Sequence, residues 1–336
     1  MKTDAAKKEK RLTYLDAIKT FSLLMVFALH TQRGEQATDP CTNDVLFYAA
    51  RCCMPLFFMV NGSLILHRSS FDFAYYRKKI FGIVRVLAIN GICIGIYVFL
   101  FHHFSPAKAV KEMLKGFLSY TSYAYLWFLY SFAIIYTVLL FGFKVIKKRL
   151  NYILTALGII CVVLSLISMH SIANGGFFVQ ANVTQRLRLW TWMFYFCLGY
   201  KLSTLMTDNY PPHVVRCVTL LLTAISIGWQ YRLCFCMTGQ VDSNCMYDDA
   251  IIVAYSAAVF LSFKVSPLLS KLFAAFCKYS FGAFLIHGFI IDAFQLRSIP
   301  KTPSQAVLVW LGLIAVCWAL SWLVDKIPLV RNVLKY

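Results

Sequence analysis

The chain has 336 residues, of which 60% are hydrophobic and 14% charged, and it carries a formal net charge of +19. So little charge excludes a soluble globule of this size and places the chain among integral membrane proteins. Apolar runs of about 20 residues recur almost throughout, long enough for helices to cross a ~30 Å hydrocarbon core; barrel strands would be half as long and alternating.

In chain order these runs cover roughly 13–33, 45–66, 80–101, 124–143, 151–170, 189–206, 214–235, 250–266, 279–297 and 305–325, so an all-α polytopic protein of about ten transmembrane helices is expected. The first is too long for a cleavable signal peptide, contains Asp16 and Lys19, and has no small-residue cleavage site after it. Lys19 lies three residues after Asp16, so the two can pair on one face. His30 lies 14 residues after Asp16, which returns it to nearly the same face about 21 Å along the axis. One stripe therefore carries a charged pair near one end and an imidazole near the other. Two readings stand: a helix-end ion pair with an interfacial histidine, or one wall of a polar passage.

The second span contains Arg51, and the third opens after Tyr76-Arg77-Lys78-Lys79 with Arg85 two turns deeper. A guanidinium inside a span needs a carboxylate, a phosphate or water. The basic group reads either as an ordinary cytoplasmic loop or as a ladder for a phosphate-rich ligand such as coenzyme A. Residues 103–123 form an outward amphipathic segment, with Lys108, Lys111 and Lys115 alternating with apolar residues. It is either a solvated loop helix or an interfacial helix covering the outer leaflet or a cavity. The ninth span holds His287, which reads as a core histidine or a substrate-binding one, and Asp292 nearer the outer end.

Lys and Arg concentrate in alternate loops: the N-terminal tail, 67–79, 144–149, 201–216, 264–278 and 326–336. This bias predicts both termini in the cytoplasm and explains the basicity without nucleic acid. Of the 12 cysteines, Cys93, Cys161, Cys197 and Cys217 fall within apolar helices and Cys52 and Cys53 join them as small hydrophobes. Cys234, Cys236 and Cys245 flank an outward loop where a disulfide could form, and no histidine near them suggests zinc. No linker or composition break divides the chain, so residues 1–336 are expected to be a single transmembrane domain.

Five stretches, in order, resemble the family 3 membrane acyltransferases. Leu15-Asp16-Ala17-Ile18-Lys19 with His30 is similar to the family's Leu-Asp-x-x-Arg-Gly followed by His. Met54-Pro55-Leu56-Phe57-Phe58-Met59-Val60-Asn61-Gly62 resembles Val-Pro-Leu-Phe-Phe-x-x-Ser-Gly, and Tyr76 to Arg85 resembles its basic loop. Leu126-Trp127-Phe128-Leu129 resembles His-Leu-Trp-Phe-Leu, and Ser280 to His287 resembles Ser-x-Gly-x-Tyr-x-x-His. Here Lys19 stands for Arg, Thr20 for Gly, Asn61 for Ser, Tyr125 for His and Phe284 for Tyr.

The resemblance implies an acyltransferase of the cell inner membrane that moves an acyl group, usually acetyl, from cytoplasmic acyl-CoA to a hydroxyl of an envelope or surface glycan. Members include O-acetyltransferases of O-antigen, enterobacterial common antigen and peptidoglycan; larger ones add an extracytoplasmic hydrolase-like domain, which this length leaves no room for. It implies His30 as general base or acyl carrier with Asp16 and Lys19 shaping the passage, and Arg77, Lys78, Lys79 and Arg85 on the coenzyme A phosphates. Arg51, Trp127 and His287 are the candidate acceptor-binding residues. Acetyl-CoA is the expected donor substrate, and no metal is expected. Two competing readings are a proton-coupled transporter or flippase, and a membrane acyltransferase of another family with His287 as its main catalytic residue.

Overall fold

A computed structural model describes residues 12–31, 44–118, 125–207, 209–233, 246–296 and 302–327. The chain is all-α there, with no strand. Its helices are α1 (Thr13–Thr31), α2 (Asp44–Ala49), α3 (Cys53–Leu66), α4 (Phe73–Phe101), α5 (Pro106–Phe117), α6 (Trp127–Lys148) and α7 (Leu150–Ala173). Then come α8 (Leu189–Thr204), α9 (Pro212–Tyr231), α10 (Ala250–Val265), α11 (Pro267–Ala274), α12 (Cys277–Ala293) and α13 (Pro303–Val324).

Among the described residues every stretch read as a span is mainly helical, and six helices are long and apolar enough to cross a membrane alone. The bent pair α10–α11, turning 94° at Ser266–Pro267, makes up to seven. Pro267 has no N–H to continue the ladder and disfavours helical backbone at Ser266, which accounts for the elbow. Helices α8 and α12 are shorter, at 16 and 17 residues, and α1 has 19 residues but carries Asp16, Lys19 and His30. Residues 1–11 and 328–336, whose side of the membrane the charge bias predicts, lie outside the described residues, as do Cys234, Cys236 and Cys245.

Helix α1 is central. Leu15, Ala17, Ile18, Leu23, Phe27 and Ala28 are buried, and α3, α10, α11, α12 and α13 pack around it. Side chains such as Leu166 on α7, Leu220 on α9 and Leu308 on α13 are exposed instead, as hydrocarbon-facing positions must be. On this interior helix Asp16 is nearly buried, while Lys19 and His30 are half-buried.

Polar devices hold the ends and breaks. Asp72 caps α4 by accepting from Tyr75 N (2.8 Å), and a reciprocal Thr302–Gln305 capping box starts α13. Lys264 Nζ donates to the carbonyls of Leu202, Ser203 and Leu205 (2.6–2.9 Å) where α8 ends. Between α2 and α3 a 3-10 step spans Ala50–Cys52, and Tyr255 of α10 donates to the Ala49 carbonyl there (2.5 Å).

Helix α5 folds back along the C-terminal half of α4. A Cβ on Gly91 would stand 2.9 Å from the Met113 carbonyl, and one on Gly116 3.3 Å from Gly91 Cα. Gly91 and Gly95, four residues apart, give α4 the small-residue stripe that lets the two backbones approach.

Candidate active site

The C-terminal end of α1 meets two other segments in a cluster of rings. His30 lies 4.2 Å, centroid to centroid, from Tyr125 and 5.5 Å from His287 of α12; Tyr125 and His287 are 4.8 Å apart. Phe27 stacks on His287 at 5.0 Å and Phe284 lies 5.2 Å from it. His287 Nδ1 is 2.5 Å from the Phe284 carbonyl, an acceptor, so Nδ1 carries the proton and Nε2 the lone pair of the neutral ring. His287 is buried and His30 half-buried. Phe57, Phe128 and Phe284, from three of the sequence motifs, form an adjoining layer with centroids 5.6–6.5 Å apart.

Two further candidates lie on neighbouring elements. Trp127 packs on Trp192 (5.3 Å), which stacks on Phe58 (4.7 Å). Arg51 is buried in the 3-10 step against α1, its guanidinium 4.5 Å from the Phe47 ring centre. Asp292 lies five residues past His287, accepts from Tyr97 (2.7 Å) and stands 2.8 Å from His102 Nε2, tying α12 to α4.

At the opposite end of α1, Lys19 Nζ is 3.2 Å from Asp16 Oδ1. The Asp16 carboxylate, nearly buried, also accepts from Cys277 Sγ (3.6 Å). Thr20 pairs with Ser280 (3.2 Å), so two motifs 260 residues apart meet here. The basic ladder is only partly gathered at this end. Lys79 is half-buried within the fields of Lys19, Lys78 and Arg68, whereas Arg77 and Lys78 are exposed. Arg85 is half-buried deeper along α4, with an enclosed Nε that has no hydrogen-bond partner. A cavity of about 390 Å³ next to α1 is lined by Thr20, Leu24, Phe273, Phe276, Ile314 and Trp318, among others, and is apolar. Among the described residues, no group of three His, Cys, Asp or Glu could hold a metal ion.

Residues 12–323 match the sequence model of a family described as an acyltransferase domain. The chain belongs to membrane acyltransferase family 3. It is therefore a multi-pass membrane enzyme rather than a carrier. No curated protein and no solved structure matches it.

Sequence reasoning on this acyltransferase missed Tyr125 as a ring partner of both histidines, Cys277 beside Asp16, and a buried carboxylate, Asp248. Tyr125 had a signal, since it occupies the place of the family's histidine before Leu-Trp. Asp248 accepts from Trp190 Nε1 (3.0 Å), Gln180 Nε2 (3.4 Å) and the Thr191 hydroxyl, fixing the start of α8. Burial raises its pKa above the usual carboxylate range, against the lowering effect of those three donors. Asp248→Asn should be tolerated, because the amide can donate to the Thr191 oxygen while its carbonyl still meets Trp190 and Gln180. Asp248→Ala leaves three donors unmet and should lower thermal stability clearly more, by about 1–3 kcal/mol. Equal melting of the two variants in detergent would contradict this network.

Proposed function

We propose that this acyltransferase transfers an acetyl group from cytoplasmic acetyl-CoA to a hydroxyl of an envelope glycan, and that it resides in the cell inner membrane with both termini in the cytoplasm. One observation carries the reading. A single buried helix bears a cation-rich end, where the charge of Lys19 acts on Lys79, and an imidazole end, where His30 meets Tyr125 and His287. The two ends suit the two substrates: phosphates need clustered cations, and an alcohol needs a base.

In this mechanism the phosphates of the donor rest at the Lys79 and Arg85 end, and the pantetheine arm runs along α1 past Asp16 and Lys19. Neutral His30 takes the proton of the acceptor hydroxyl as its oxygen attacks the thioester carbonyl. The C–S bond breaks, and the proton passes to the departing coenzyme A thiolate. An acyl-imidazole on His30 would divide the same transfer into two steps. His287, its tautomer set by the Phe284 carbonyl, holds the ring cluster in place.

The direct test is transfer of radiolabelled acetyl from acetyl-CoA to membrane glycans by the purified protein in nanodiscs. Incorporation that stays at background, with folded protein present, sinks the reading. Lys19→Arg, which restores the family residue, should keep at least the wild-type rate, while Lys19→Ala should lose about 10-fold or more by removing the cation that pairs with the Asp16 carboxylate. Equal activity of the two would remove Lys19 from the proposal.

A further inference from the structure

The cation-rich end contains a side chain outside the donor ladder. Arg68 lies two residues past the end of α3, in the turn leading to α4, and its guanidinium carbon stands 3.9 Å from the centre of the Tyr75 ring. Lys79 Nζ is 5.6 Å from the same ring, and the charges of Lys19, Lys78 and Arg68 all act on Lys79. The platform is fixed from several sides. Tyr75 N donates to Asp72 Oδ1 (2.8 Å), Phe71 meets the Tyr75 ring edge-on at 5.4 Å, and Lys147 Nζ holds the Arg68 carbonyl (2.7 Å).

Arg68 Nε is enclosed and has no hydrogen-bond partner. Ion pairs at this end join Lys19 to Asp16 and Lys278 to Asp325; among the described residues none involves Arg68. Cytoplasmic lysines and arginines that serve only topology have no reason to converge, because like charges at close range repel. Here they converge, and the guanidinium of Arg68 stands over an aromatic ring with its enclosed Nε unmatched. A guanidinium so arranged suits bidentate recognition of a phosphate. The first turn of α4 adds the positive end of a 29-residue helix.

We propose that Arg68, seated over Tyr75 beside Lys79, is the phosphate clamp of the donor site and determines its preference for a phosphorylated, nucleotide-bearing donor. This rests on the acyl-CoA reading above. A phospholipid headgroup offers the same phosphate chemistry at this face, so the experiment separates the two sources.

Full-length wild type, Arg68→Ala and Arg68→Lys are placed in nanodiscs of phosphatidylcholine alone or with phosphatidylglycerol. Binding of coenzyme A is measured by calorimetry, and retained phosphatidylglycerol by native mass spectrometry. Arg68→Ala is expected to weaken coenzyme A binding by about 10–100-fold in both membranes. Arg68→Lys, which keeps the charge and the fold but not the plane, is expected to weaken it by about fivefold or more. The KM for acetyl-CoA should rise in parallel, and use of S-acetyl-pantetheine, which lacks phosphates, should be the same in all three. Unchanged coenzyme A affinity in both variants overturns the clamp, and unchanged affinity with less retained phosphatidylglycerol assigns Arg68 to a headgroup instead. Wild type that binds no coenzyme A in either membrane brings down the donor reading itself.

Discussion

Replacing His30 by alanine is expected to lower glycan acetylation by about 10²–10⁴-fold at matched protein levels, the range a positioned base supplies. His30→Gln should lose as much, because an amide keeps a hydrogen bond but cannot take a proton. The ring is half-buried at a helix end, so its removal leaves no large core cavity and the protein should still fold. His287→Ala should cost less, about 10-fold, if that ring orients and His30 reacts. A larger loss at His287 than at His30 would exchange their roles; near-wild-type rates in both His30 variants would end the assignment.

The helices were legible because hydrocarbon leaves an apolar chain no other fold, and the α1 stripe followed from helical periodicity alone. The meeting of His30 with His287 was not legible from spacing: the residues are far apart in sequence, and only the packing of α12 on α1 joins them. Arg68 and Lys78 look alike in a sequence, as cations of one loop; what separates them is the Tyr75 ring under the first. The turn back of α5 along α4 had a sign in the Gly91–Gly95 spacing, whereas its lysines pointed to the membrane surface. Length and composition single out six helices, or seven with the bent pair, among the described residues; α8 and α12, at 16 and 17 residues, are shorter than the ~20 residues of a straight span.

The second large effect is expected at Gly62, the glycine of the Pro-Leu-Phe-Phe motif. Here α3 and α8 cross with backbones in contact. A Cβ on Gly62 would fall 1.8 Å from the Phe196 carbonyl oxygen, and one on Gly199 2.1 Å from that of Met59. Ser63 Oγ lies 2.8 Å from the carbonyls of both Met59 and Gly199, sharing its proton across the crossing. Without a hydrophobic force between helices in lipid, such close contact is a main source of association. Gly62→Ala places a methyl group against backbone, which has no rotamer by which to yield, so the helices must separate. The cost should be about 3 kcal/mol or more. Because Phe57 and Phe58 ride on the same helix into the ring layer, the variant should lose acetylation together with thermal stability. Gly312→Ala on α13 is the matched control, since a Cβ there meets nothing within 4 Å. Ser63→Ala, which removes one shared proton and no volume, should cost only about 0.6 kcal/mol. Gly62→Ala that accumulates, melts and acetylates like Gly312→Ala would show that α3 and α8 do not cross at this glycine.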